Sequence, residues 1–183
     1  MLARSRTLRR QVLAANHPHE TPAPTLTLWA RFWSIPLTSV TRNLWYRILY
    51  SKLPSRTFLH RLLPTVHLTD QCPLCTISTD TPVHFLYQCP LKRVVRESVW
   101  PDLLLLPVNE TQILKALYQL DFPRDPPNCK SVVIIEAILH GIWSAHWAFI
   151  FHYTVFNPEE VINRIHKLIS RRIAESQLPA LLN

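Results

Sequence analysis

Apolar residues recur at intervals of three and four along most of this chain, which is the spacing of one face of an α-helix. The period predicts helices near residues 40–51, 55–63, 91–100, 110–120, 130–153 and 157–176. In the first two, the side chains expected to face the core are Leu44, Trp45, Ile48, Leu49, Phe58, Leu59, Leu62 and Leu63. Proline-rich stretches at 17–27 and 121–129 interrupt the pattern and are expected to be linkers.

The use of glycine and proline favours an all-α fold. Tight β-hairpins need glycine or asparagine at positive φ, and the chain has 1 glycine in 183 residues. Its 16 prolines instead punctuate the predicted helices. With 48% hydrophobic residues, the chain is long and apolar enough to build a core.

The pattern divides the chain into three parts. We expect a basic tail and proline-rich linker over 1–27, a metal-binding helical domain over 28–102 and a C-terminal helical extension over 103–183 that forms a hairpin. Residues 1–16 hold four arginines and no acid, as in a mitochondrial targeting segment. A basic tail, or residues that once continued from an upstream domain, is the favoured interpretation.

The strongest chemical signal is the array Cys72, Cys75, His84 and Cys89, spaced C-x2-C-x8-H-x4-C. Three thiolates and one imidazole suit Zn²⁺, and four protein ligands without an open position are typical of a structural site. We therefore expect one structural zinc ion that staples an irregular helical domain. The alternative is a set of ordinary buried cysteines beside an unrelated histidine.

Prolines around the array predict how the ligands are presented. Asp80 or Thr81 is expected to cap a helix that begins at Pro82, where the missing N–H costs nothing. That helix would carry His84 inward, and it would end near Cys89, since a proline follows and disfavours helical geometry before it. Cys72 to Cys75 would form a knuckle that turns both thiolates toward one point.

The flanks of the array carry a resemblance to a known family. The residues concerned are Trp45, Leu53-Pro54-Ser55-Arg56, Leu59, Cys72-Pro73-Leu74-Cys75, Asp80-Thr81-Pro82-Val83-His84-Phe85-Leu86, Cys89-Pro90 and Val99-Trp100. Over residues 28–102 the chain resembles the zinc-binding domain that follows the reverse transcriptase of non-LTR (LINE-like) retrotransposons. Family members usually have Glu where this chain has Asp80, and this departure leaves the ligand positions unchanged.

The resemblance implies a non-catalytic module of a retrotransposon polyprotein, here a separated or degraded fragment, with a reverse transcriptase domain as a possible partner. The distribution of acidic residues also favours a non-catalytic module. Metal-bound phosphoryl transfer needs paired aspartates, and no Asp-Asp occurs in the sequence. Pro101-Asp102 begins a nuclease-like pattern, but no later glutamate has a lysine two residues on. We expect no enzyme activity and no small-molecule substrate.

Charge is concentrated in the half that holds the metal array. Residues 1–100 contain 13 Lys and Arg against 4 Asp and Glu, whereas residues 101–183 contain 7 against 8. Such a basic half predicts binding to the phosphate backbone of RNA or DNA, without sequence readout. The candidate contacts are Arg42, Arg47, Arg56, Arg61, Lys92, Arg93 and Arg96. The alternative is a solvated helix surface, with zinc stabilising a protein-interaction module whose helices 130–176 dock on another domain.

The apolar stretch 131–156 raises the question of a membrane span. It contains Glu136, and a carboxylate inside a bilayer is costly, so a core helix is the better interpretation. His140, His146 and His152 lack the spacing of a metal pair. A single cysteine outside the array argues for a reducing intracellular compartment, nucleus or cytoplasm.

Overall fold

A computed structural model of the chain describes residues 25–177. Over these residues the chain is mostly helical, which confirms the all-α prediction. The helices are α1 (Leu26–Ser34), α2 (Ser39–Leu49), α3 (Arg56–Leu62), α4 (Pro90–Leu104), α5 (Glu110–Leu114), α6 (Ser131–His152) and α7 (Pro158–Gln177), with π-helical turns at His84–Gln88 and Lys115–Gln119. Between residues 25 and 177 the β-pairing consists of an isolated antiparallel bridge, Gln71 with Thr79. The predictions for residues 1–24 lie outside the described residues.

Short polar side chains begin most of these helices. The hydroxyls of Thr25, Thr38 and Ser55 accept backbone N–H bonds at the first turns of α1, α2 and α3, and the amide oxygen of Asn109 does so for α5. Thr38 therefore caps α2, which begins one residue before the predicted 40–51. A side-chain oxygen at this position satisfies a backbone donor that the helix leaves unpaired.

Helix α4 is longer than the sequence predicts. It continues beyond the predicted end near residue 100, through Pro101 to Leu104, and Leu105 ends it in the left-handed conformation at φ 57°. Proline inside a helix removes one hydrogen bond, and this loss is outweighed here by burial of Val99, Trp100 and Leu104. The expected limit between residues 102 and 103 falls inside this helix.

The core is one continuous cluster built mainly where α4, α6 and α7 pack together. Trp45 and Trp100 are its largest fully buried side chains, and the Trp45 indole N–H donates to the carbonyl oxygen of Leu117 at 2.8 Å. The cluster runs from Phe32 in α1 to Ile169 in α7. Residues on both sides of position 102 therefore share apolar neighbours.

Helix α3 lies on the surface, against expectation. Its face of Phe58, Leu59 and Leu62 is only half-buried, and Leu63 is 40% exposed. Leu53, just before the helix, is buried instead. The apolar period of this segment is real, but its first turn is tied by hydrogen bonds to Asp80, outside the apolar cluster.

Helices α6 and α7 pack closely along each other. Glu136 lies opposite Arg172, at 3.9 Å, and Gly141 lies opposite Ile165 and Val161. A methyl group added at Gly141 would meet Ile165 Cγ1 at 2.6 Å, so the chain's single glycine allows the close approach. Helix α6 is long and apolar enough to cross a membrane, but over half of its most apolar window is buried in the fold, as expected for a core helix.

Candidate metal centre

The loop that carries the first two ligands is closed by backbone hydrogen bonds. Cys72 N–H donates to the Ser78 carbonyl at 2.9 Å, and Asp80 N–H donates to the Asp70 carbonyl at 2.8 Å. Thr76 N–H returns to the Cys72 carbonyl at 2.9 Å, with Thr76 itself at φ 55°. The resulting tight turn brings the side chains of Cys72 and Cys75 to the same side of the loop.

A π-helical turn presents the other two ligands. Cys89 N–H donates to the His84 carbonyl at 3.0 Å, a bond across five residues. In an α-helix these positions would be about 140° apart around the axis. The wider turn brings them onto one side, and π-helical turns of this kind are frequent at functional sites. Thr81, as expected, caps the turn by accepting from His84 N–H at 3.1 Å.

The four side chains converge on one point. Their ligand atoms all lie within 4.8 Å of one another. Cys72 Sγ is 3.9 Å from Cys89 Sγ, and Cys75 Sγ is 3.5 Å from His84 Nε2. Cys72, His84 and Cys89 are buried and Cys75 is half-buried. The cluster could therefore hold a metal ion.

The sulfur atoms of Cys72 and Cys89 lie within hydrogen-bond reach of each other, at 3.9 Å. The hydrogen bond from the Cys72 thiol lowers the pKa of Cys89 to about 7, and that bond together with burial raises the pKa of Cys72 to about 12. Backbone N–H groups of Leu74, Cys75 and Lys92 point toward these sulfurs and favour their charged forms. A bound metal would replace the thiol protons, because metals bind the thiolate.

Lys92 and Arg96 are buried, and this corrects their place among the expected phosphate contacts. Both are at most 3% exposed, and the Lys92 ammonium lies 3.3 Å from the centre of the Phe85 ring. Burial lowers the pKa of Lys92 to about 8, while the carboxylate of Asp80 and the sulfurs of Cys89 and Cys72 favour its charged form. Burial also lowers the pKa of Arg96 to about 10.

A signal for this burial was present in the sequence. Positions 92, 95, 96 and 99 follow the i, i+3, i+4, i+7 period of one helix face. Lys92 and Arg96 therefore share a face with the buried Val95 and Val99. Val94 on the same helix is 48% exposed. Lys92 and Arg96 were nevertheless predicted to be exposed, because lysine and arginine are rarely buried without a partner.

Arg42 and Arg56 are engaged within the fold. The Arg42 guanidinium donates to the carbonyls of Phe32 and Ile35, at 3.1 and 2.6 Å, which closes the end of α1. The guanidinium of Arg56 meets Nδ1 of His67. Both side chains are half-buried, so neither presents its full charge to a ligand.

Arg47, Arg61 and Arg93 are the predicted contacts that lie exposed. Arg47 donates to Asn43 at 2.8 Å, Arg93 pairs with Glu97 at 2.9 Å, and Arg61 stands over the Phe58 ring. Each of these partners lies within four positions along the same helix. Such exposed local pairs are weak and leave the guanidinium free to exchange partners.

Asp80 joins the metal loop to α3. It is buried, its Oδ2 accepts from Arg56 N–H at 2.8 Å, and its carbonyl accepts from the Thr57 hydroxyl at 2.8 Å. The carboxylate therefore holds the first turn of α3, and of the two expected caps of the helix at Pro82, Asp80 or Thr81, the structure has Thr81. The sequence identified Asp80 as part of a motif but not this connection.

The histidines of α6 stay apart from the cluster. His146 is buried, His140 half-buried and His152 exposed. Among residues 25–177, the group of potential ligands that could hold a metal consists of the three cysteines and His84.

Comparison of the chain with models of protein families, with curated proteins and with solved structures gave no match.

Proposed function

We propose that this chain is a non-catalytic, zinc-stapled helical module of the reverse-transcriptase zinc-binding type, and that it binds the backbone of RNA or DNA. The observation that carries the proposal is the convergence of three thiols and one imidazole within 4.8 Å. The remaining support comes from the distances in this cluster, the charges packed around it and the exposed arginines on neighbouring helices.

The distances in the cluster favour zinc as the metal. A tetrahedral zinc ion with its usual bond lengths holds two sulfurs about 3.8 Å apart, and a sulfur and a nitrogen about 3.5 Å apart. The corresponding separations here are 3.9 Å for Cys72 to Cys89 and 3.5 Å for Cys75 to His84. Thiolate and imidazole are also soft enough to disfavour magnesium and calcium.

The ligand set favours a structural site. Four protein ligands fill a tetrahedral zinc ion, so no position is left for a water that could act as a nucleophile. Bound zinc would supply folding free energy by joining the loop 70–80 to the π-helical turn and to α4. The backbone N–H groups near Cys72 and Cys89 would hold the two thiolates in place.

Lys92 and Arg96 balance the charge of such a centre. Three thiolates around Zn²⁺ leave one net negative charge, and Asp80 adds another in the same buried region. Lys92 faces Asp80, Cys72 and Cys89, and Arg96 faces Cys89. Buried charges persist when they are paired, so the two cations and the anionic centre stabilise one another.

The exposed arginines provide the nucleic-acid contacts. Arg47, Arg61 and Arg93 lie on α2, α3 and α4, the helices that flank the metal loop in sequence. A guanidinium donates in a planar fork that fits a phosphate, and backbone contacts of this kind position a strand without reading its sequence. The formal net charge of +8 adds long-range attraction.

A protein-interaction function is the second candidate, and an aromatic surface favours it. Trp29 and Trp33 of α1, Tyr46 of α2 and the following Tyr50 form a cluster with ring centroids 4.6–6.3 Å apart, in which Trp29 stacks on Trp33 and on Tyr50. Trp33 is 59% exposed. Exposed aromatic clusters on a folded domain often mark a contact with another protein.

The test is binding of a labelled single-stranded RNA and a duplex DNA across a salt series, with and without a zinc chelator. We expect affinity to fall steeply with salt and to collapse on chelation, because each neutralised phosphate releases counterions. The triple variant R47E/R61E/R93E should lose at least about tenfold in affinity and lower the salt slope, with zinc content unchanged.

Arg164→Glu is the matched control, since it reverses an exposed arginine on α7, a helix without predicted contacts. It should lower affinity only slightly, through net charge. If R164E loses as much nucleic-acid affinity as R47E, R61E or R93E does alone, the binding depends on net charge alone. No binding by a folded, zinc-loaded chain at low salt would reject the nucleic-acid function and favour a protein partner.

A further inference from the structure

A cavity of about 220 Å³ lies beside the metal loop and is independent of the four ligands. Pro73 and Asp80 come to it from the metal loop, Arg56 from α3, and His146, Trp147 and Phe151 from α6. Phe151 is 66% exposed, so the cavity reaches the surface along this side chain. The metal loop thus forms one wall of a second site.

Unpaired polar atoms are concentrated in this cavity. Among the described residues, four buried side-chain nitrogen or oxygen atoms lack a hydrogen-bond partner, and three of them belong to cavity-lining residues: Asp80 Oδ1, His146 Nδ1 and Trp147 Nε1. Asp80 is 1% and His146 is 3% exposed. Native proteins rarely leave buried polar atoms unpaired, and three around one space indicate a missing partner.

The chemistry of these atoms defines what the partner must offer. Asp80 Oδ2 already accepts from Arg56 N–H, so Oδ1 is left to accept a second donor. Trp147 Nε1 can only donate. Burial lowers the pKa of His146 to about 2, so its ring is neutral and can either donate or accept through Nδ1. The ligand therefore presents a donor close to an acceptor.

The walls favour a flat ligand. The rings of Trp147 and Phe151 are stacked, with centroids 5.1 Å apart and planes 19° apart, and Pro54 and Pro73 add flat apolar surface. The volume corresponds to roughly seven waters at about 30 Å³ each. That is enough for one planar heterocycle but not for a folded peptide element.

We propose that this cavity binds one unpaired nucleobase of a single-stranded nucleic acid, with Asp80 accepting from its amine or imide N–H and Trp147 donating to the neighbouring acceptor. The inference rests on the proposed nucleic-acid function and adds a base-binding site to a backbone contact surface. Bases that leave a duplex are held in this way, by hydrogen bonds to one edge and by stacking on aromatic side chains. Arg56 also lines this cavity, with its guanidinium held by His67.

The first test uses nucleoside monophosphates added to the ¹⁵N-labelled, zinc-loaded chain. We expect the indole N–H resonance of Trp147, assigned through its loss in Trp147→Phe, to move downfield on saturation, while that of Trp100 stays fixed. Trp100 Nε1 is a matched reference because it is also buried without a partner but lies outside the cavity. An unchanged Trp147 resonance at millimolar nucleotide would overturn the base site.

The second test separates the base site from backbone binding. A single strand of about ten nucleotides is compared with an abasic strand of equal length, both on the full chain. Trp147→Phe keeps an aromatic ring and removes the donor, so we expect it to weaken the normal strand roughly three- to tenfold and to leave the abasic strand unchanged. Trp100→Phe should change neither affinity.

The outcomes distinguish the two proposals. If normal and abasic strands bind equally well and W147F has no effect, backbone binding stands and the base site is rejected, with water as the occupant of the cavity. If neither strand binds but nucleotides still shift the Trp147 resonance, the base site stands and the backbone proposal fails. Equal losses for W147F and W100F, with lowered melting temperatures, would assign the effect to folding and reject the base site.

Discussion

At the residue scale, the main finding concerns Lys92, which is fully buried beside two of the candidate ligands. A lysine in such a place is retained when a nearby anion offsets the loss of its hydration. The residue type alone suggested a solvent-exposed contact. Its position in the helix, three residues after Cys89 and one turn before Arg96, is instead consistent with a buried cation beside the candidate metal ligands.

Replacing this charge should weaken metal binding more than it weakens the fold. We expect Lys92→Met, which keeps the length of the side chain, to lower zinc affinity about tenfold, because it removes the cation nearest the anionic centre. The melting temperature of the chelated chain should change little. A competition titration with a chromogenic chelator measures the affinity.

Arg93→Met is the control for this change, because Arg93 is the exposed neighbour on the same helix. It should leave zinc affinity within about twofold. A K92M variant that binds zinc as tightly as the parent chain would show that the buried ammonium does not stabilise the metal centre.

At the element scale, helical periodicity predicted most of the helices. It failed where tertiary contacts determine where a helix ends or how it is wound. It identified α2, α6 and α7 within a few residues, since these helices bury regular apolar faces. The predicted α4 ended before Pro101, because a proline that disfavours a helix can be read from the sequence. The tertiary packing of Leu104, which extends the helix, cannot. The π-helical turn at His84 has no sequence signal of its own.

The packing of α6 against α7 gives a prediction at this scale. Gly141→Ala adds a methyl group 2.6 Å from Ile165 Cγ1, so one helix must shift. Alanine gains about 1 kcal/mol of helix propensity over glycine, and overpacking costs about 1–3 kcal/mol. We expect a net loss of about 1 kcal/mol in the free energy of unfolding, measured by urea denaturation.

The double variant G141A/I165A tests whether this contact is the cause. Removing the Ile165 side chain beyond Cβ makes room for the methyl group. The double variant should therefore lose less free energy of unfolding than the sum of the losses of the two single variants. A G141A variant more stable than the parent chain, or strictly additive changes, would contradict the close approach of the two helices.

At the scale of the whole molecule, the metal cluster joins segments that the core alone does not hold. The loop 70–80 has few buried apolar side chains, and α3 has none. Their attachments are Asp80, the backbone bonds around it and the four candidate ligands. The spacing of cysteine and histidine predicted this cluster from sequence, because its four ligands lie within 18 residues and a short loop and a single turn suffice to join them.

The most direct measurement of the central claim is the metal content and thermal unfolding of the purified chain and its ligand variants. We expect one zinc per parent chain by elemental analysis. Cys72→Ser and His84→Ala should each lose the metal and lower the melting temperature by about 10 °C or more, because the binding free energy is also folding free energy.

Cys129→Ser is the matched control, since Cys129 is the one cysteine outside the cluster. It should keep one zinc and the parent melting temperature. A parent chain that is folded without metal, or C72S and H84A variants that retain full zinc and unchanged melting, would contradict a structural zinc centre formed by Cys72, Cys75, His84 and Cys89.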